Sequence, residues 1–229
     1  MKAKRLTLVL IFAAALFFSG SHFFGSERDD HLIPADSLFQ KYRELLASKL
    51  GQTPFNCGRV FIEPAFEPES AISVYCGSPA GVGQKCKVTY TKASENFWQS
   101  TSALQEADRA TRVKIARIDA EISASTALLV RTAFFRILKL TRPHVAREGE
   151  MRSLTTDATR TEFSLEVPGA PQLWGELDIS LVGQGKDIKR VLTLGRLLID
   201  YCKANQRDKP KIERAIRTRA VPLGGAGQS

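Results

Sequence analysis

The sequence predicts an α+β fold, an antiparallel sheet with helices packed on one face, in a single domain stabilised by disulfides. Several short segments alternate apolar and polar residues with a period of two, as strands with one buried face do. Other, longer segments repeat apolar residues at helical spacing. Four cysteines, Cys57, Cys76, Cys86 and Cys202, follow what reads as an export signal. An even count in an exported chain favours disulfides.

The signal opens with Lys2, Lys4 and Arg5, continues as an uncharged apolar run over 6–18, and ends on Ser19-Gly20-Ser21. Small residues at the last and third-last positions suit a signal peptidase, so cleavage is expected after Ser21. A helix of that run reaches only about 20 Å, short of a hydrocarbon core of about 30 Å. The alternative is an uncleaved membrane anchor in which Phe23 and Phe24 extend the apolar stretch. The expected organisation is a signal at 1–21, one domain at 22–205, and a basic, Gly-rich, disordered tail at 206–229. The protein is then exported, periplasmic or secreted.

At 43% hydrophobic and 25% charged, the chain has the composition of a globular protein and not of a disordered one. Its net charge is +9, of which the first five residues supply three. Lys203, Arg207, Lys209, Lys211, Arg214, Arg217 and Arg219, against Asp208 and Glu213, give 203–219 a net +5. The basicity of the chain after 21 is therefore concentrated near its end.

The first helix starts near Ser37, with Gln40 completing a capping box. Leu38, Tyr42, Leu45 and Leu46 form its apolar face, and Gly51 stops it. Strands follow near 57–63, 71–76 and 86–91. Setting Cys76 opposite Cys86 also sets Val74 against Val88 and Ile72 against Tyr90, one apolar face in register. That register predicts a Cys76–Cys86 disulfide and leaves Cys57 and Cys202 to pair. Cys57 is also symmetric with Cys76 about the turn at 64–69, but that register would put Arg59 on the apolar face.

Residues 112–115 alternate and suggest a fourth strand. Ser123 caps a helix running to Arg142, stopped by Pro143. Val130, Ala133, Phe134, Ile137 and Leu140 make its apolar face. Leu128 and Phe135 fall among its basic residues and form a candidate interface for homo- or hetero-oligomers. Two alternating strands follow, around Phe163 and Leu177, with a bulge expected at Gly175. In the last helix, 187–203, Ile188, Val191, Leu192, Gly195, Leu198, Ile199 and Cys202 recur at i, i+3, i+4 and i+7.

Catalytic signatures are missing. The chain has no G-x-S-x-G, H-E-x-x-H or S-x-x-K, and no C-x2-C pair for zinc. His144 is the one histidine far from the N-terminus, in a loop without an identifiable partner. Glu63, Glu67 and Glu69 crowd one turn, where a solvated turn is the expected reading and a hard cation the rival. No catalytic residue, metal or cofactor is expected.

The tail cations attract an anionic envelope surface or an acidic protein. No aromatic interleaves them, so nucleic acid is not the expected partner. The expected function is a non-catalytic interaction domain of the cell envelope. The alternatives are a small envelope hydrolase with an unrecognised site and a membrane-anchored accessory subunit of an envelope complex.

Overall fold

Alternation with a period of two drives six segments into one antiparallel sheet, and helical periodicity supplies the layers on it. The computed structural model describes residues 32, 34, 40–51, 56–77, 86–97, 113–143, 159–178 and 185–225. In chain order these form α1 (Gln40–Leu50), β1 (Asn56–Glu63), β2 (Ser70–Cys76), β3 (Cys86–Ala93) and β4 (Ile115–Ile122). Then come α2 (Ala124–Lys139), β5 (Arg160–Leu165), β6 (Leu173–Asp178), α3 (Lys186–Lys203) and α4 (Lys209–Gly225). The sheet order is β4-β3-β2-β1-β5-β6. The segment read as a signal, the Ser37 cap, His144 and the tip of the β2–β3 hairpin lie outside the described residues.

The hairpin register is the one the cysteines and apolar pairs predict. Cys76 faces Cys86, Val74 faces Val88 and Ile72 faces Tyr90. The fourth strand lies later than expected, at Ile115–Ile122 and not at 112–115. As the edge of the sheet it buries only Ala120 and Ile122, so its charged residues hide the alternation. Ser123 then caps α2 through a hydrogen bond from the Thr126 N–H (3.3 Å). The helix ends at Lys139, earlier than Arg142. Leu140 stands outside it, 57% exposed, and does not join the apolar face.

Helices α2 and α3 cover one face of the sheet. Val60, Ile72, Val74, Val88, Phe163 and Leu177 meet Val130, Phe134, Ile137, Val191, Leu194 and Leu198 there. Gly58 is a requirement of this packing. Its φ is 152°, and a Cβ on it would fall 1.9 Å from the Phe134 ring. Gly175 has a packing role too and not the expected bulge, for β5 and β6 keep one register throughout. A Cβ on Gly175 would press on Leu32 at 2.8 Å.

Two expectations are corrected. The stretch 206–225 is not a disordered tail: Lys209–Gly225 is a helix that packs on α2 and α3. Ile212, Ile216, Ala220 and Leu223 recur at helical spacing, and the last three are buried. Asp208 starts the helix by accepting from the Lys211 and Ile212 N–H groups, and Pro210 falls in the first turn, where a missing N–H costs nothing. The second sheet face, where the predicted fold places no helix, is partly dry. Helix α1 packs there, where Leu46 and Leu50 bury Phe61, Ala71 and Ala93 together with Phe97 and Val113.

Candidate functional site

The helical side of the molecule is a continuous source of positive charge. Helices α2, α3 and α4 together hold thirteen Lys and Arg against three acidic residues, a net +10 that exceeds the +9 of the whole chain. Helix α4 is held on this layer by a polar clasp at its start. The Glu213 carboxylate accepts from the Ser123 hydroxyl and from Thr126 Oγ1 (2.8 Å). Partial burial would push the Glu213 carboxyl up. The hydrogen bonds from Ser123 and Thr126 outweigh it and hold the group below the usual carboxylate range. At the far end Arg136 Nη1 donates to the Leu223 carbonyl (3.1 Å).

The cations expected in a loose tail are thus placed on ordered elements. Lys203 lies over the Tyr90 ring at 4.6 Å and Lys209 over Tyr201 at 5.7 Å. Arg217 donates to Ser125 Oγ (3.1 Å). Arg207, Lys211, Arg214 and Arg219 are exposed, and Lys211, Arg214 and Arg217 share the outward side of α4 with Thr218 and Val221. The sequence signal for this helix is the Ile212-Ile216-Ala220-Leu223 spacing, which the density of charge conceals.

Of the proposed α2 interface, Leu128 is 61% exposed. Phe135 is half-buried, and the Lys139 ammonium lies over its ring at 5.0 Å. The seam therefore presents one fully apolar side chain and one capped by a cation.

Cys76 and Cys86 form the expected disulfide, with a Cα–Cα separation of 4.3 Å. The second expected pair does not form: Cys57 and Cys202 are free thiols. Cys202 lies on α3 above β3 and donates to the Val88 carbonyl at 3.4 Å. Burial pushes its thiol up to about 12. Cys57 is on β1, two strands away, a lateral distance of about 10 Å that exceeds disulfide reach. The register between β1 and β2 shifts between Asn56 and Gly58. This bulge takes Cys57 off the side of Arg59 and onto the helix-covered side, where it packs with Cys76 and Cys86.

The second sheet face carries a row of buried carboxylates, two of which, Glu63 and Glu69, were expected on a solvated turn. Glu69 is tied down by the Tyr42 hydroxyl and by the Phe97 N–H, which donates to both its oxygens at 3.0 and 2.8 Å. Arg160 Nε lies 2.8 Å from Glu176. Glu162 is wholly buried, and Arg43 Nε stands 3.5 Å from its Oε1, an ion pair without a formed hydrogen bond. Burial pushes Glu162 up to about 7, with Arg43 opposing. Burial and the neighbouring Glu162 push Glu63 up to about 8. Glu63 and Glu69 are thus buried, while Glu67 remains exposed. Among the described residues no group of three His, Cys, Asp or Glu has the arrangement to hold a metal ion.

Beside this row, a cavity of about 490 Å³ opens between α1 and the β6 edge, with Gln40, Arg43, Glu44, Thr141 and Trp174 in its wall. Its volume is that of a small-molecule site. Those side chains supply hydrogen bonds and both signs of charge, but no nucleophile paired with a base. Among the described residues no helix is long and apolar enough to cross a membrane. No family model, no curated protein and no solved structure matches this chain.

Proposed function

We propose that this protein is an exported, non-catalytic interaction domain that docks on anionic envelope material through its basic helical layer, with α4 as the outermost contact. The observation that carries the reading is the segregation of charge: three adjacent helices hold a net +10, and α4 exposes Lys211, Arg214, Arg217 and Arg219. An ordered array of cations loses less freedom on binding than a loose tail would. Lys and Arg near an anionic bilayer contribute about 1 kcal/mol each, and less at high salt. The Cys76–Cys86 disulfide supports the address, since such bonds persist in oxidising compartments.

The test is co-sedimentation of the full chain with vesicles of phosphatidylglycerol and phosphatidylcholine. The expected result is binding that grows with the phosphatidylglycerol fraction and falls with salt. Replacing Lys211, Arg214 and Arg219 together by Gln, in a region that leaves the buried face of α4 intact, should weaken it by about two orders of magnitude. Unchanged affinity in that variant, with unchanged far-UV circular dichroism, would sink the reading. Truncation is not a suitable test, because α4 is part of the core.

A further inference from the structure

Three of the four cysteines lie near one end of the sheet, on three adjacent strands. Cys86 on β3 is bonded to Cys76 on β2, and Cys57 lies on β1 at the bulge opposite Val74 and Tyr75. Strand β2 is the middle one, so Cys76 has Cys86 directly opposite on β3 and Cys57 diagonally placed on β1. On the β1 side the bulge turns Cys57 to the helix-covered face that also holds Cys76. All three side chains belong to the same helix-covered cluster.

We propose that Cys57, Cys76 and Cys86 form a thiol–disulfide exchange site, in which Cys76 is bonded alternately to Cys86 and to Cys57. The step is an isomerisation. The Cys57 thiolate attacks Cys76 Sγ, the Cys57–Cys76 bond forms, and the Cys76–Cys86 bond breaks. The bonding electron pair leaves with the Cys86 sulfur, which takes up the proton that Cys57 gave up. Nothing is oxidised or reduced overall, so no external reagent enters the balance. The covalent link moves from the β2–β3 hairpin to the β1–β2 hairpin, and the segment 77–85 is no longer closed by a bond. The free thiol is then Cys86, beside that segment, and a low-molecular-weight disulfide is the class of compound it would react with.

The attacking group must be the thiolate. Burial raises the Cys57 thiol above its ordinary value, with Arg131 and the Cys76 backbone opposing and Glu166 adding to the rise. Exchange should therefore accelerate about tenfold per pH unit between pH 7 and 8.5, as the thiolate fraction grows.

The test uses the full oxidised chain, incubated without denaturant at pH 7 to 8.5, quenched in acid, alkylated and mapped by non-reducing peptide mass spectrometry. A Cys57–Cys76 peptide with alkylated Cys86, appearing faster at higher pH, is the expected result. A map that holds only Cys76–Cys86 after prolonged incubation at pH 8.5 overturns the proposal. So does a map in which bonds to Cys202 appear at the same rate, since that marks scrambling through the unfolded chain. Cys86→Ser gives a second reading under oxidised glutathione. Formation of Cys57–Cys76 supports the site, and a folded variant in which Cys57 and Cys76 both remain alkylatable refutes it. If Cys86→Ser does not fold, the wild-type map decides alone.

Discussion

Glu162→Gln separates the cost of a buried carboxylate from everything else the side chain does. Glu162 sits mid-strand on β5, wholly enclosed beneath α1, with both oxygens lacking a hydrogen bond and Arg43 at 3.5 Å. Its carboxyl is pushed from an ordinary 4.5 to about 7. A raised folded-state value means that the native chain holds its proton longer than the unfolded one does. The native state is therefore favoured below pH 4.5, and that advantage is lost as pH rises through 7. At about 1.36 kcal/mol per unit, the loss is on the order of 3 kcal/mol once the group is ionised in both states. Gln keeps the shape and removes the titration. Its fixed difference from a protonated acid is the same at every pH and cancels when only the change in the gap is read. The stability of Glu162→Gln relative to wild type should therefore climb by about 3 kcal/mol between pH 4 and pH 8. Relief of Glu63, which Glu162 also pushes up, acts in the same direction. Urea unfolding at each pH, followed by circular dichroism, measures the gap. A gap that stays flat, or narrows as pH rises, would show that Glu162 is ionised at little cost and would refute this account of the carboxylate row.

Three further predictions rest on packing and on the covalent cross-link. Gly58→Ala should cost at least 3 kcal/mol or prevent folding, because its Cβ must displace Phe134 and adopt an unfavourable φ; thermal unfolding measures it. Ending the chain after Asn205 strips Ile216, Ala220 and Leu223 from the core and should cost roughly 4–6 kcal/mol, where loss of a disordered tail would cost nothing. Reducing Cys76–Cys86, which closes a loop with a separation of 10 residues, should cost about 2–3 kcal/mol, measured by urea unfolding. A reduced chain as stable as the oxidised one would contradict the loop-closure argument.

The features legible in the sequence were those whose cause is local. The hairpin register follows from alternation plus one cysteine pair, and Ser123 caps α2 because its hydroxyl reaches a backbone N–H three residues on. What stayed hidden has long-range causes. Strand β4 reads Ile-Ala-Arg-Ile-Asp-Ala-Glu-Ile, and an edge strand that buries little shows no clear period. Helix α4 was concealed by composition, for five cations in its length outweigh four apolar positions in any averaged reading. Cys57 was misassigned because its separation from Cys202 is set by the strand order, which puts β1 two strands from β3, and nothing local announces that order. The carboxylates looked solvated because α1, Phe97 and Trp174, which cover them, come from distant parts of the chain.

The charge layout also makes the docking proposal separable from the cavity. The three basic helices hold +10, and the chain outside them sums to −1. Helix α4 lies on α2 and α3, these lie on the sheet, and α1 lies on its far side. Layers packed about 10 Å apart place the α1 cavity some 20 Å or more from the outward face of α4. That exceeds the screening length of about 8 Å at physiological salt, so a charge at the cavity contributes little to attraction at α4. Arg43→Gln should therefore leave vesicle binding within about twofold of wild type, although it removes one positive charge, whereas Arg214→Gln removes the same charge and should weaken binding about fivefold. Equal losses in the two variants would mean that net charge alone governs binding and that α4 has no special place in it.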